Sequence, residues 1–402
     1  MEGPGLMAAM LTLEEAQERL LALAPLGTVE QVAVDEIPPW RYLAGDRQAL
    51  RTQPPANLSA MDGYAICGAG PWRKVGESRA GTPFAGTLEP GQCTRISTGA
   101  HMPRGADRVL IQENAALDGD HVRLADGEAL PEPQRHVRPR GFDFTEGGIV
   151  LASGVRLGPA QLALALASGH GRLSVRRPPR IAVLDSGDEL ARDPAECGPD
   201  LIPASNGAMI SAMLRPLVGE VTRLGPVPDD EAALAQALAK AEDCDILITS
   251  GGASVGDHDL IQHALTEWGA DLAFWKVAIK PGKPLMVATR GEQVIVGLPG
   301  NPVSSFVTCF LFALPLVRAA LGAADPLPLP QHVPAGEDLP EVGLRREFLR
   351  GVSDGKTVRR ASSQDSSALL ALASANCLID RGAYSAATSK GDKVPVYYLQ
   401  NG

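Results

Sequence analysis

Between residues 181 and 320 short apolar runs alternate with amphipathic stretches of helical length. Ile181-Ala182-Val183-Leu184, Ile246-Leu247-Ile248-Thr249 and residues 293–297 are apolar, β-branched and bounded by turn residues, so each predicts a buried strand. Residues 206–217, 231–241 and 258–268 carry the helical period. Asp229-Asp230 caps the second of these, and Pro302 fits the first position of a long helix. This alternation predicts a doubly wound sheet with its site at the carboxyl ends of the strands.

The flanks read differently. Thr12-Leu13-Glu14-Glu15 is a capping box before a leucine-rich helix that reaches about residue 24. A looser stretch follows through Pro38-Pro39. From about 57 to 135 short β-runs lie between Gly and Pro turns, such as Arg108-Val109-Leu110-Ile111-Gln112 and His121-Val122-Arg123-Leu124; they predict an all-β insert. Residues 137–158 are turn-rich and 159–167 helical. The basic tract 172–180, with Pro178-Pro179, is expected to be a solvated hinge, and the Pro/Ala-rich 322–334 a second linker. Residues 342–399 predict a small β-rich domain with one helix near 368–375.

Composition narrows the function. A chain of 402 residues has material for two to four domains, and 21% charged with 45% hydrophobic residues is a soluble globular balance. Aromatics at 4% argue against base-stacking surfaces, and a net charge of −10 repels nucleic acid and acidic membranes. An anionic ligand must then be held by local lysines and backbone amides. The six cysteines form no C-x-x-C pair, which fits reduced thiols. There is no signal-peptide pattern, and the most apolar run, 309–321, is too short to span a membrane and contains Pro315 and Arg318. A cytoplasmic protein is expected.

Candidate chemistry concentrates in residues 246–304. The strand at 246 empties into Ser250-Gly251-Gly252-Ala253-Ser254-Val255-Gly256-Asp257-His258-Asp259, where glycines open the backbone to an anion. Asp257 and Asp259, two apart, could face one hard cation such as Mg²⁺, or cap the next helix. Lys280 and Lys283 flank Pro281-Gly282, a turn that aims two ammonium groups the same way, with Lys276 just before. Ser186-Gly187-Asp188-Glu189 follows the 181 strand, where such sheets place ligand contacts. Asp62 in Met61-Asp62-Gly63-Tyr64 and Asp143 in Arg140-Gly141-Phe142-Asp143 read alone as turn residues. The seven histidines show no metal spacing.

Taken together these segments resemble one family, the molybdopterin molybdenumtransferases, which include the enzymatic part of gephyrin. The resemblance rests on Ser59-Ala60-Met61-Asp62-Gly63-Tyr64-Ala65, Ser97-Thr98-Gly99-Ala100 through Pro103-Arg104-Gly105-Ala106-Asp107, Ser186-Gly187-Asp188-Glu189-Leu190 and the glycine loop. It continues through the 276–284 lysine run, Leu298-Pro299-Gly300-Asn301-Pro302-Val303-Ser304, Arg345-Arg346-Glu347-Phe348-Leu349-Arg350 and Gln364-Asp365-Ser366-Ser367-Ala368-Leu369. It implies an α/β multidomain chain: an elongated discontinuous domain (1–50 and 136–177), a β-rich insert (51–135), an α/β molybdopterin-binding domain (178–325) and a C-terminal β-barrel (326–402). It also implies a homodimer in which Asp62 and Asp143 reach the partner's α/β site.

The implied reaction inserts molybdate into adenylylated molybdopterin with release of AMP, aided by Mg²⁺. Asp62, Asp143, Asp259, Lys276, Lys280 and Glu189 would be catalytic. Ser250, Gly251, Gly252, Lys283, Pro284, Pro299, Pro302, Ser304, Arg345, Ser366 and Ser367 would bind substrate, and Asp188, Asp229 and Asp257 the metal. A pterin adenylyltransferase and molybdoenzyme chaperones are the implied partners. Two positions depart from the family pattern: Ala204, where many members carry an acidic or polar residue, and His101, where proline is common. A non-catalytic pterin-binding or scaffolding paralogue, and a related pterin adenylyltransferase, are the alternative readings.

Overall fold

A computed structural model describes residues 10–251 and 260–399. Its centre is a seven-stranded sheet in the order Met10–Leu11, Asp271–Val277, Pro284–Arg290, Gln293–Leu298, Ile246–Ser250, Ile181–Ser186, Thr222–Val227. The last four strands are parallel neighbours, and only Pro284–Arg290 runs against the other six. From Ile181–Ser186 the chain first goes outward to Thr222–Val227 and then back across to Ile246–Ser250. The connections therefore change direction between the Ile181 and Ile246 strands, the kind of switch point where α/β sheets bind ligands.

Burial on both faces explains why these strands read as continuous apolar runs. Ile181, Val183, Ile246, Ile248, Val294 and Val296 face one core, and Ala182, Leu184, Leu247 and Ile295 face the other. Glu231–Lys240 and Leu260–Glu267 pack on the second face, the former capped by Asp230 accepting from Ala233 N–H. On the first face lie Leu13–Leu21, whose capping box is present, Asn206–Val218 and the helix running from Pro302 to Ala320. That last helix is 19 residues long, a full turn and more beyond the apolar run read from the sequence, and 89% of its apolar window is buried. It is the core helix of this domain, widened by one π-helical stretch at Cys309–Ala313.

The insert is a six-stranded sheet, Arg108–Ile111, Gly63–Ile66, Gln92–Ile96, Trp72–Ser78, His121–Leu124, Ala115–Asp118, built around fully buried Trp72. A separate small core gathers Val34, Leu43, Leu151, Leu157, Leu173 and Val175. Here the structure corrects the expected hinge. Arg172–Arg176 is a strand, antiparallel to Val29–Ala33, because Leu173 and Val175 alternate with the arginines and point inward. Arg177 and Arg180 both clasp Asp245, at 3.1 and 3.3 Å. The second expected linker also ends in structure, since Gln331–Pro334 is a strand.

The C-terminal sheet runs Ile279–Lys280, Arg346–Ser353, Cys377–Arg381, Lys393–Tyr398, Gln331–Pro334, with Val358–Arg360 beside Arg346–Ser353. A bridge between Ala335 and Val358 joins its far edge back to that pair, closing a small barrel. Phe348, Leu378 and Tyr397 share the α/β core, and Arg346 binds Asp380 and, on the first helix, Glu14. The barrel is thus packed onto the α/β domain. The cysteines are free thiols; burial pushes Cys93, Cys309 and Cys377 up to about 12.

Candidate functional site

Two cavities adjoin where the carboxyl ends of the central strands meet the C-terminal barrel. The larger, about 720 Å³, is lined by Asp185 and Ser186 from the Ile181 strand, Ser250 and Gly251 from the Ile246 strand, and Gly300, Asn301 and Pro302 beyond the Gln293 strand. Glu189, Asn206 and Ser367 also line it, as does Ala204, one of the two positions that depart from the family pattern. Asn206 ties these loops together, its amide donating to Ser250 Oγ at 2.9 Å and to Gly300 O at 2.7 Å. Ser305 Oγ donates to Pro299 O, which fixes the Pro-Gly-Asn-Pro loop to the helix that follows.

The smaller cavity, about 390 Å³, is walled by the Lys280–Pro284 turn, Ser304, Arg345, Arg350 and Ser366. Four cations line it (Lys280, Lys283, Arg345, Arg350) against two carboxylates (Glu347, Asp365), in a protein whose net charge is −10. The turn is held from both sides. Ile279 and Lys280 pair in parallel with Arg346 and Glu347 of the barrel, and Lys280 Nζ lies 2.9 Å from Glu347 Oε1. At Gly282 φ is +101°, and a Cβ there would stand 2.5 Å from Thr308 Cγ2, so only glycine fits. The cavities share a wall: Pro302 and Ser367 face the larger, Ser304 and Ser366 the smaller, and Val303 N–H donates to Ser366 O at 3.1 Å.

Of the expected substrate-binding residues, Lys283, Pro284, Ser304, Arg345 and Ser366 come together in the small cavity, with Lys280, and Ser250, Gly251, Pro302 and Ser367 in the large one, with Glu189. Pro299 lines neither cavity. Lys276 is exposed on the Asp271–Val277 strand and lines neither cavity. Gly252, Asp257 and Asp259 lie outside the described residues. Asp62 and Asp143 are exposed and line neither cavity of this chain. Asp62 accepts from Thr98 N and Oγ1 at 3.0 and 3.2 Å, and Asp143 N–H donates to Gln53 O at 3.0 Å.

The expected metal ligands Asp188 and Asp229 are neighbours, Asp229 N–H donating to Asp188 Oδ1 at 3.0 Å. Partial burial, then the charges of Asp188 and Glu189, push the Asp229 carboxyl above its ordinary range. Among the described residues no three His, Cys, Asp or Glu side chains converge to cage an ion. Mg²⁺ sites, however, commonly use one or two carboxylates and leave the rest to water and substrate phosphate. These hard, mutually repelling oxygens fit such an open site.

Three cavity-lining residues escaped the sequence reading: Arg350, Asp185 and Asn206. Arg350 is 1% exposed; its Nη2 donates to Ser363 O and Asp365 O, and burial lowers its pKa from the usual guanidinium value. Its place two residues beyond buried Phe348 on one strand was the available signal. Asp185, in contrast, reads as the polar end of an apolar strand.

Known proteins resemble the chain along its length. Residues 11–169 match the MoeA N-terminal region (domains I and II), 182–319 a probable molybdopterin binding domain, and 332–399 the MoeA C-terminal region (domain IV). A molybdopterin molybdenumtransferase of Haemophilus influenzae is 33% identical over 94% of this chain and 96% of its own. One from Nostoc is 32% identical over 92% and 84%. The crystal structure of a molybdopterin biosynthesis moeA protein from Pyrococcus horikoshii OT3 superposes with a TM-score of 0.82 at 25% identity, covering 97% of this chain and all of that one.

Proposed function

The chain belongs to the molybdopterin molybdenumtransferase family, and from that premise we propose that its two adjoining cavities perform molybdenum insertion in molybdenum cofactor biosynthesis. The observation that carries the reading is the shared wall: a small cationic cavity opens beside a larger loop-lined one. In this reading the small cavity takes molybdate, whose oxygens accept charge-assisted hydrogen bonds from Lys280, Lys283 and Arg345, with the Ser304 and Ser366 hydroxyls alongside. The large cavity takes adenylylated molybdopterin and presents its dithiolene to the oxyanion across the wall. Glu189 orients the water that cleaves the pyrophosphate and releases AMP, and Asp259 acts with it. Lys276 supplies a further positive charge. Asp188 and Asp229, with Asp257, would hold Mg²⁺, which neutralises phosphate charge when bound.

The active unit in this proposal is a C₂ homodimer in which Asp62 and Asp143 serve the partner's cavities. Exposed Leu50, Ile149 and Leu166 support it. Ala49 N–H bonds to Gly148 O and Leu50 N–H to Ser168 O, which brings the segments that carry these exposed apolar residues near one another. A pterin adenylyltransferase would supply the substrate and molybdoenzyme chaperones receive the product, in the cytoplasm.

The test is to incubate the protein with adenylylated molybdopterin, Mg²⁺ and molybdate, following AMP and pterin-bound molybdenum. Molybdate-dependent release of both is expected; AMP release without bound molybdenum would overturn the reading. Mixing inactive Asp62→Ala and Lys283→Ala chains should restore about a quarter of parental activity, since about half the dimers are mixed and each has one intact site.

A further inference from the structure

Two residues that line the larger cavity, Asp185 and Asn206, each carry an acceptor oxygen that the protein leaves unpaired. Asp185 is 2% exposed at the end of the Ile181–Ser186 strand. Its Oδ2 faces the start of the Asn206–Val218 helix so closely that a Cβ at Gly207 would lie 2.0 Å away, and Arg223 stands 3.8 Å from the same oxygen. Its Oδ1 has no partner. Asn206, the neighbour of Gly207, spends its amide N–H groups on Ser250 and Gly300. That use fixes the amide's orientation, and its Oδ1 is likewise buried and unpaired. An unmatched buried acceptor is destabilising. Two of them on adjacent supports of one cavity call for two neighbouring donors.

We propose that Asp185 and Asn206 read the aminopyrimidinone edge of the pterin, accepting hydrogen bonds from its 2-amino group and its N3–H. The assignment rests on the pterin-transferase reading given above and adds residues that discriminate the ring. Adenine presents a different edge: its 6-amino donor lies beside the N1 acceptor, which would face an acceptor oxygen. The pterin edge carries two donors side by side and leaves no such conflict.

The experiment compares 6-hydroxymethylpterin with the matching pteridine-2,4-dione, in which a carbonyl replaces the 2-amino group. Binding is followed by equilibrium dialysis on the full chain. The parental protein should prefer the pterin, and Asp185→Asn, which keeps the shape and an acceptor for Gly207, should weaken pterin binding by about ten- to hundred-fold while narrowing the preference. Unchanged molybdate binding and melting temperature in the variant show that the fold survives. Equal affinity of the parental protein for the two rings, or a full preference retained by Asp185→Asn, overturns the assignment and leaves molybdenum transfer standing. Loss of AMP binding rather than pterin binding in the variant places adenine at this wall and also overturns it. If the parental protein binds neither pteridine, the underlying pterin reading falls as well.

Discussion

Gly282 sits between the two lysines of the anion cavity, and Gly282→Ala tests whether the turn's shape sets their aim. The new methyl meets two obstacles. A backbone φ of +101° is unfavourable for a residue with a side chain, costing about 1–3 kcal/mol. The Cβ also lands 2.5 Å from Thr308 Cγ2, a contact that forces an overpacking shift worth about 1–3 kcal/mol. Thr308 has little freedom to yield: it is fully buried, and its hydroxyl donates to Ser304 O at 2.7 Å. The two terms sum to about 2–6 kcal/mol, which at about 2–4 °C per kcal/mol lowers the melting temperature by at least about 4 °C. Because strain on Thr308 passes to Ser304, molybdate KM should rise more than kcat falls. Thr308→Ser removes the offending methyl and leaves φ untouched. In that background Gly282→Ala should cost about 1–3 kcal/mol less, a coupling that a double-mutant cycle read by thermal melting measures directly. An equal cost of Gly282→Ala in both backgrounds would refute the steric argument.

Lys283→Ala should weaken molybdate binding by about ten- to hundred-fold with little change in melting temperature, both measurable on the purified protein. Asp229→Asn should raise the melting temperature near neutral pH without divalent cation, because it removes a carboxylate destabilised by burial and by Asp188 and Glu189. That gain should vanish as falling pH protonates the parental Asp229, whose folded value is raised, and Mg²⁺ should stabilise the parental protein more than the variant. Asp245 behaves oppositely: burial pushes its carboxyl up, but the Arg180 N–H and the Arg180 and Arg177 side chains outweigh this and hold it below the ordinary range. Its contribution is therefore complete above the unfolded value of about 4 and lost as pH falls through the lower folded value. Asp245→Asn should cost about 1 kcal/mol at neutral pH, with the difference from the parental protein closing in acid.

The three inner parallel strands of the central sheet were legible because they are buried on both faces, which writes an apolar run into the sequence, whereas the edge strand Thr222–Val227, with Thr222 and Arg223 exposed, was not. Arg172–Arg176 was not legible either, since arginines at both ends, with Arg177 and Arg180 beyond, look like a basic tract until Val29–Ala33 is seen to pair along it. The strands Asp271–Val277 and Pro284–Arg290 were hidden for a related reason: lysine, proline and glycine at their junction mark a turn but say nothing of the pairing on either side. The site followed the same division. Charge and turn chemistry, which are local, singled out Lys280 and Lys283, while Ser304, Arg345 and Ser366 came from the family resemblance. Arg350 and Asp185 were missed because what marks them out is burial and the partners they have or lack. The carbonyls that hold Arg350 come from residues 13 and 15 positions away.

Long-range pairing also decides whether the legible lysines form a site at all. Lys280 and Glu347 are 67 residues apart, yet they meet at 2.9 Å because Ile279–Lys280 joins the barrel strand in one register. A slip of one residue would turn each side chain to the opposite face of its strand. It would carry Ile279, now fully buried, outward and draw Lys280 into the core. Burying an unpaired ammonium is costly enough to forbid that slip. The hydrophobic requirement of Ile279 therefore fixes the aim of Lys280, and the cationic cavity inherits its geometry from the packing of a residue that does not line it.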